Sequence, residues 1–331
     1  LLAKESLADA DLIGNGPFRY LAGKARSRLR LERIDDGQVL EFLLVKDPVV
    51  RALKLRKGEI HLAQNELGPE LADYLKRRPE VAVQTFPGSN FTYLGFNLED
   101  AATGDVRVRR AIAHAIDRDA IREFLFRERV DLAETLFPPR HWLGFRTQGI
   151  DYDPDLARAL LGAAGYGPEN PLELDYKTSS DPFRIRVATV IQDQLAKVGI
   201  RVKVKSYDWG TFYGDVKSGN FQMYSLTWVG LKTPDSFRYI FHGDSVPPAG
   251  ANRGRYRSPR VDRLIERAEQ EEDLERQQAL YRELQEQLLE DLPYIPLWYE
   301  HHVVAMRPEL TGYAVPPDGN YDGLVSVEWR R

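Results

Sequence analysis

From residue 28 the chain reads as short strands and then as helices. "RLRLERI" (28–34) alternates apolar and polar positions, and "VLEFLLV" (39–45) returns after "DDGQ" (35–38), which has the composition of a hairpin turn. "GNGPFRY" (14–20) predicts a turn followed by a strand. In "DPVVRALKLRKGE" (47–59) the spacing becomes helical: Asp47 caps, Pro48 suits the first turn and Gly58 stops the helix. "FTYLGFN" (91–97) is another strand. Helical spacing then covers 105–126 and 151–166, the second opened by Asp153-Pro154 and closed by Gly165.

A strand–helix–strand–helix–strand run follows. Its strands are "LELDYKT" (172–178), "IRVKVKSY" (200–207) and "FQMYSLTWV" (221–229). Its helices are 181–199, opened by Asp181-Pro182 and ended by Gly199, and the short 208–219. This order predicts an α/β body with parallel strands joined by helical crossovers. Two polar helices come next, one from Ser258-Pro259 and one over 274–292. "YIPLWYEHHVVAM" (294–306) is strand-like, and a Gly/Pro-rich tail follows. Early strands, a central α/β stretch and late strands predict that the last segment rejoins the first domain.

Composition narrows the classes. The 331 residues allow about two domains. A hydrophobic share of 43% and a charged share of 29% fit an ordinary globular core. The net charge of −4 argues against a nucleic-acid partner. The absence of cysteine excludes disulfides, Fe–S clusters and cysteine-based zinc sites. No apolar run reaches the ~18 residues of a spanning helix.

In a parallel sheet, ligands gather outside the carboxyl ends of the strands. Here those ends are "KTSSD" (177–181), "YDW" (207–209) and "WVGLKT" (228–233). They nominate Thr178, Tyr207, Trp209, Trp228, Gly230 and Leu231 as candidate site residues. Packing in a core is the competing role for each tryptophan. Catalytic signatures are missing: there is no G-x-S-x-G, H-E-x-x-H or Walker A sequence, and Gly23-Lys24 runs into Ala25. His301 and His302 are strand neighbours that face opposite sides, so no metal site is expected there. No catalytic residue, cofactor or metal is implied.

The order of segments resembles the family 5 extracellular solute-binding proteins, the peptide- and oligopeptide-binding components of ABC importers. The resemblance rests on "IGNGPFRY" (13–20), "LKLRKGEIHLA" (53–63), "FTYLGFN" (91–97) and "DVRVRRAIAHAIDRDAI" (105–121). It continues in "DYDPDLARALLGAAGY" (151–166), "IQDQLAKVGIRVKV" (191–204), "YRSPRVDRLIERA" (256–268) and "LLEDLPYIPLWY" (288–299). It implies a periplasmic-binding-protein type II-like α/β fold: two lobes with a hinge, and mixed sheets flanked by helices. Residues 1–100 would be part of the first lobe, 101–290 the second, and 291–331 the return to the first. It also implies that a signal peptide, the first strands and a small inserted domain precede this chain in the family.

The implied function is to bind peptides between the lobes and deliver them to a membrane permease. The implied protein is periplasmic, or extracellular and membrane-anchored, and monomeric when full length. The aromatic walls would be Trp209, Trp228 and Tyr93. Family peptide binders often place an aspartate three residues after the strand-end tryptophan, to pair with the peptide ammonium; here that position is Leu231. Arginines found in an oligopeptide-type member correspond to Val216 and Ser225. Asp235, Lys232 or Arg253 are the residues that would compensate. A non-peptide solute or a metal chelate is the alternative ligand. A peptide hydrolase using Ser179, Ser180 and Asp181 is a rival of another class, and a peptide sensor or chaperone-like module is a further one.

Overall fold

A computed structural model describes residues 15–24, 27–65 and 67–330. The expected turn at residue 14 lies outside them. The chain divides into two compact units. Unit 1 comprises Leu1–Gln84, Val303–Pro316 and Asn320–Arg331; unit 2 comprises Thr85–His302 and Pro317–Gly319.

Unit 1 begins with an antiparallel meander of β1 (Phe18–Lys24), β2 (Arg28–Arg33) and β3 (Val39–Leu43). Gly37, at φ 73°, supplies the left-handed residue that the expected turn needs. Helix α1 (Pro48–Lys57) is capped as predicted: Asp47 accepts from the Val50 N–H, and Gly58 at φ 73° ends it. The short strand β4 (Leu62–Gln64) and helix α2 (Pro69–Lys76) were not foreseen, because three residues and two turns give little periodicity. Leu55, Leu75 and Ala305 anchor a small core here.

Unit 2 holds the α/β body. Strand β5 (Ala82–Phe96) enters it and is far longer than the expected 91–97. The expected helix over 105–126 is instead two, α3 (Val106–Ala115) and α4 (Arg118–Phe124). Ile116 is extended, and the Asp117 carboxylate accepts from the Ala120 N–H as a fresh N-cap. The buried Gln194 side chain accepts from the Asp117 N–H and donates to its carbonyl, so the break is bracketed from another helix. Replacing Asp117 by alanine should cost about 1 kcal/mol. Thermal unfolding should shift down by about 2–4 °C. No shift would mean that Gln194 alone holds the break.

Strand β6 (Val130–Leu132) and helix α5 (Pro154–Ala163) follow. Then come β7 (Glu173–Ser179), α6 (Pro182–Ala196), β8 (Arg201–Tyr207), α7 (Trp209–Ser218) and β9 (Met223–Trp228). As predicted, β7 pairs in parallel with β8 on one side and β9 on the other. The chain thus steps from β7 to β8 and then back across β7 to β9, which opens a crevice at the strand ends. A short helix missed by the pattern, α8 (Asp235–Phe241), follows the β9 loop. Helices α9 (Pro259–Gln270) and α10 (Leu274–Asp291) lead to β10 (Tyr294–Met306). Within unit 2 the strands run β10-β5-β9-β7-β8, with β6 on β10 and β5 antiparallel to β9. No described helix is long and apolar enough to cross a membrane.

Candidate functional site

Pleating gives the central strands of unit 2 two distinct faces. Phe91 pairs with Trp228 and Tyr93 with Leu226 across β5 and β9. On that face Tyr93 stacks on Tyr294 at 3.9 Å and on Trp228 at 6.4 Å, and meets Tyr224 edge-on. Burial holds the Tyr224 and Tyr294 hydroxyls far above the usual phenol range, so both stay neutral.

One cation sits among these rings. Arg253, 7% exposed, lies over the Trp228 ring at 4.5 Å and the Tyr213 ring at 5.4 Å. It donates to the Tyr93 hydroxyl at 3.0 Å and to the Tyr213 hydroxyl at 3.2 Å. Burial lowers its pKa, but the oxygens of Tyr93, Tyr294, Tyr224 and Tyr213 outweigh that, and it remains charged. Tyr213 in turn stacks on Trp209 at 5.5 Å with the planes 6° apart. Trp209 and Tyr239, which meets the edge of Trp228, are 58% and 51% exposed and form the rim.

The loop after β9 is held at several points. Gly230, at φ 71°, adopts a conformation only glycine takes readily, and donates its N–H to Asn90 Oδ1 at 3.3 Å. Lys232 pairs with Asp318, and its carbonyl meets His141 Nε2 at 3.1 Å. The Thr233 hydroxyl bonds to the Asp235 carboxylate. Leu231 packs, half-buried, against the aromatic cluster.

The opposite face carries a charged network. Glu300 on β10 receives Arg184 of α6 at 2.7 and 3.2 Å and the Thr92 hydroxyl at 2.8 Å. Thr92 bonds to Thr227 at 2.7 Å. Burial alone would raise the Glu300 pKa; the charge and hydrogen bonds of Arg184, with Thr92, hold it below the ordinary glutamate range. Among the described residues, no group of three or more His, Asp or Glu side chains is placed to hold a metal ion. His301 lies 3.1 Å from Asp131 while His302 meets the Pro317 carbonyl at 2.9 Å, so the pair diverges as expected.

The model of the bacterial extracellular solute-binding proteins, family 5 Middle, matches residues 2–246. The chain belongs to family 5. It is 31% identical to di/tripeptide-binding protein 2 of Pseudomonas aeruginosa, covering 92% of this chain and 59% of that protein. It is 28% identical to the dipeptide-binding protein of Escherichia coli, covering 97% and 62%. Among solved structures it resembles the periplasmic binding protein DppA of Helicobacter pylori in complex with the peptide STSA, at 27% identity and TM-score 0.81, covering 96% and 63%. The chain therefore spans about three fifths of these relatives. That likeness bears out the expected periplasmic-binding-protein fold class.

The structure sorts the family 5 site residues read from the sequence. It joins Trp228, Arg253 and Tyr93 directly, and reaches Trp209 through Tyr213. Tyr93 is 0% exposed, so it backs Trp228 instead of forming an open wall. Thr178 is buried within β7, and Tyr207 meets the Lys177 ammonium at 5.5 Å while packing, half-buried, against the same aromatic cluster as Trp228. Gly230 and Leu231 shape the loop. Tyr213, Tyr239 and Tyr294 were not foreseen. The Trp209/Tyr213 spacing of four on a predicted helix was the one available signal.

Proposed function

We propose that this chain is the ligand-binding part of a solute-binding protein of an ABC import system, with peptides as ligand. The observation that supports it is the strand-end cage: Trp228 beside a buried Arg253, rimmed by exposed Trp209 and Tyr239. Such a site offers rings for apolar side chains and few fixed donors, which suits a variable ligand. The peptide-binding names of the relatives point the same way. In this reading the protein acts outside the cytoplasm, works as a monomer, hands its ligand to a membrane permease and performs no chemistry. The lobe bounds read from the sequence, 101–290 against 1–100 with 291–331, stand as part of this proposal.

Calorimetric titration with a pool of di- and tripeptides should show saturable heat; none would remove the peptide assignment. Leu231 makes a finer expectation. Leu231→Asp should favour peptides with a free amino terminus over acetylated ones by about tenfold, since a hydrogen-bonded charge contributes ~1.5 kcal/mol or more. An unchanged ratio would mean that residue 231 does not face the ligand's amine.

A further inference from the structure

Building on that reading, we propose that the Arg253 cage takes a carboxylate of the ligand, so the site grips an acid group and not an amine. Around the strand ends, Asp318 is paired with Lys232, Asp215 with Lys177 and Glu300 with Arg184, while Asp235 accepts from Thr233. Arg253 has no carboxylate among the described residues; its contacts are two phenol oxygens and two ring faces. A buried guanidinium keeps its charge, and the phenols, which offer oxygens but no net negative charge, leave it without a counter-ion.

A second donor is orphaned beside it. Trp228 Nε1 is shielded from solvent and has no hydrogen-bond partner. The cage thus presents a cation without a counter-ion, met by two phenol oxygens, and an indole N–H for which the protein supplies no acceptor. A carboxylate answers both: its two oxygens match the guanidinium fork and can also accept from an indole. Leu231 on the adjoining loop offers nothing to an ammonium. Trp209 and Tyr239, each more than half exposed, place the rim of the cage in solvent, on the side from which a ligand would approach.

The test uses the full chain and tripeptide pools without side-chain acids, supplied as free acids, as carboxyl-terminal amides and as N-acetylated acids. Calorimetry should show the amides binding about 10- to 100-fold more weakly than the acids. Acetylation should change affinity by less than about threefold, within the scatter of a single weak contact. Arg253→Gln should bring the acid-to-amide ratio close to one. Arg253→Lys, which keeps the charge on a gentler substitution, should retain a reduced preference for the acids. Trp228→Phe, which removes only the N–H and trims the ring, should also reduce the ratio.

An amidated pool carrying one aspartate separates the sources: if it binds as well as the acids, a side-chain carboxylate serves too. Equal affinity for acids and amides, or an unchanged ratio in a folded Arg253→Gln or Arg253→Lys protein, would overturn the inference and leave peptide binding intact. Displacement by inorganic phosphate without any preference for acids over amides would overturn it as well. Failure of every pool to bind would remove the peptide reading itself and the inference with it.

Discussion

Arg118→Met should lower the stability of unit 2 by about 3 kcal/mol and its unfolding temperature by about 6–12 °C. Arg118 opens α4 and is buried, yet among the described residues its hydrogen-bond acceptors include no carboxylate. Its guanidinium donates to the carbonyls of Ala133 at 2.7 Å, Pro296 at 2.9 Å and Ile150 at 2.8 Å. Three segments distant in sequence therefore meet on one cation. Methionine fills the space but orphans all three carbonyls, and unmet buried acceptors carry the larger part of the cost. A cavity of about 290 Å³ lined by Arg118, Ala133, Ile150 and Pro296 lets water reach some of them. This places the expected cost below the ~5 kcal/mol reached when a buried ion is stripped of its partner. Circular dichroism on heating measures it, and a shift under about 2 °C would mean that water replaces the guanidinium fully.

Glu300→Gln should cost about 2 kcal/mol at neutral pH. The amide keeps one acceptor but turns a donor toward Arg184, whose two bonds to Glu300 then cannot both form. Arg184 retains about a third of its surface in solvent, which limits the penalty. The sign of the pH effect follows from the depressed pKa of Glu300. Its contribution is complete above the unfolded value of about 4.5 and disappears as pH falls through the lower folded value. The gap between native and variant unfolding temperatures should therefore be widest at neutral pH and close in acid. A gap that persists in acid would show that shape, not charge, carries the effect.

Much of the fold is written locally. Asp47-Pro48, Asp153-Pro154, Asp181-Pro182 and Ser258-Pro259 each start the helix they were expected to start, because a cap and a fixed φ act within one turn. The parallel strands were readable from spacing for the same reason. The division of 105–126 was not, since it depends on Gln194 reaching Asp117 from α6. The motif "VRVRRAIAHAIDR" marks the family, but its chemistry is structural. Arg109 donates to the carbonyls of Leu292, Thr103, Gly104 and Asp291, and Arg118 to those named above. Their acceptors lie as many as 183 residues away, beyond any local pattern.

The site divides in the same way. Trp228 was legible as an aromatic near the end of the expected strand 221–229, just before Gly230 and Pro234; the structure ends β9 on it. Tyr93, Trp209 and Arg253 were also named, but their meeting with Tyr213 and Tyr294 was not, because these residues come from separate elements and meet only in three dimensions. Thr178 and Tyr207 occupy the predicted strand ends but turn into β7 packing and toward Lys177. A strand-end position therefore marks where a ligand approaches, not which side chains receive it.

The place of β10 in the sheet has a kinetic consequence. In unit 2 it lies beside β5 and carries β6 on its other edge, yet it begins only at Tyr294. A growing chain that has reached Asp291 holds the α3–α10 sequence, but β5 and β6 still lack the strand that joins them. Contacts of such long sequence separation slow folding and leave edges open in the meantime. Closure of the β5–β10–β6 edge thus waits on a strand made after α10.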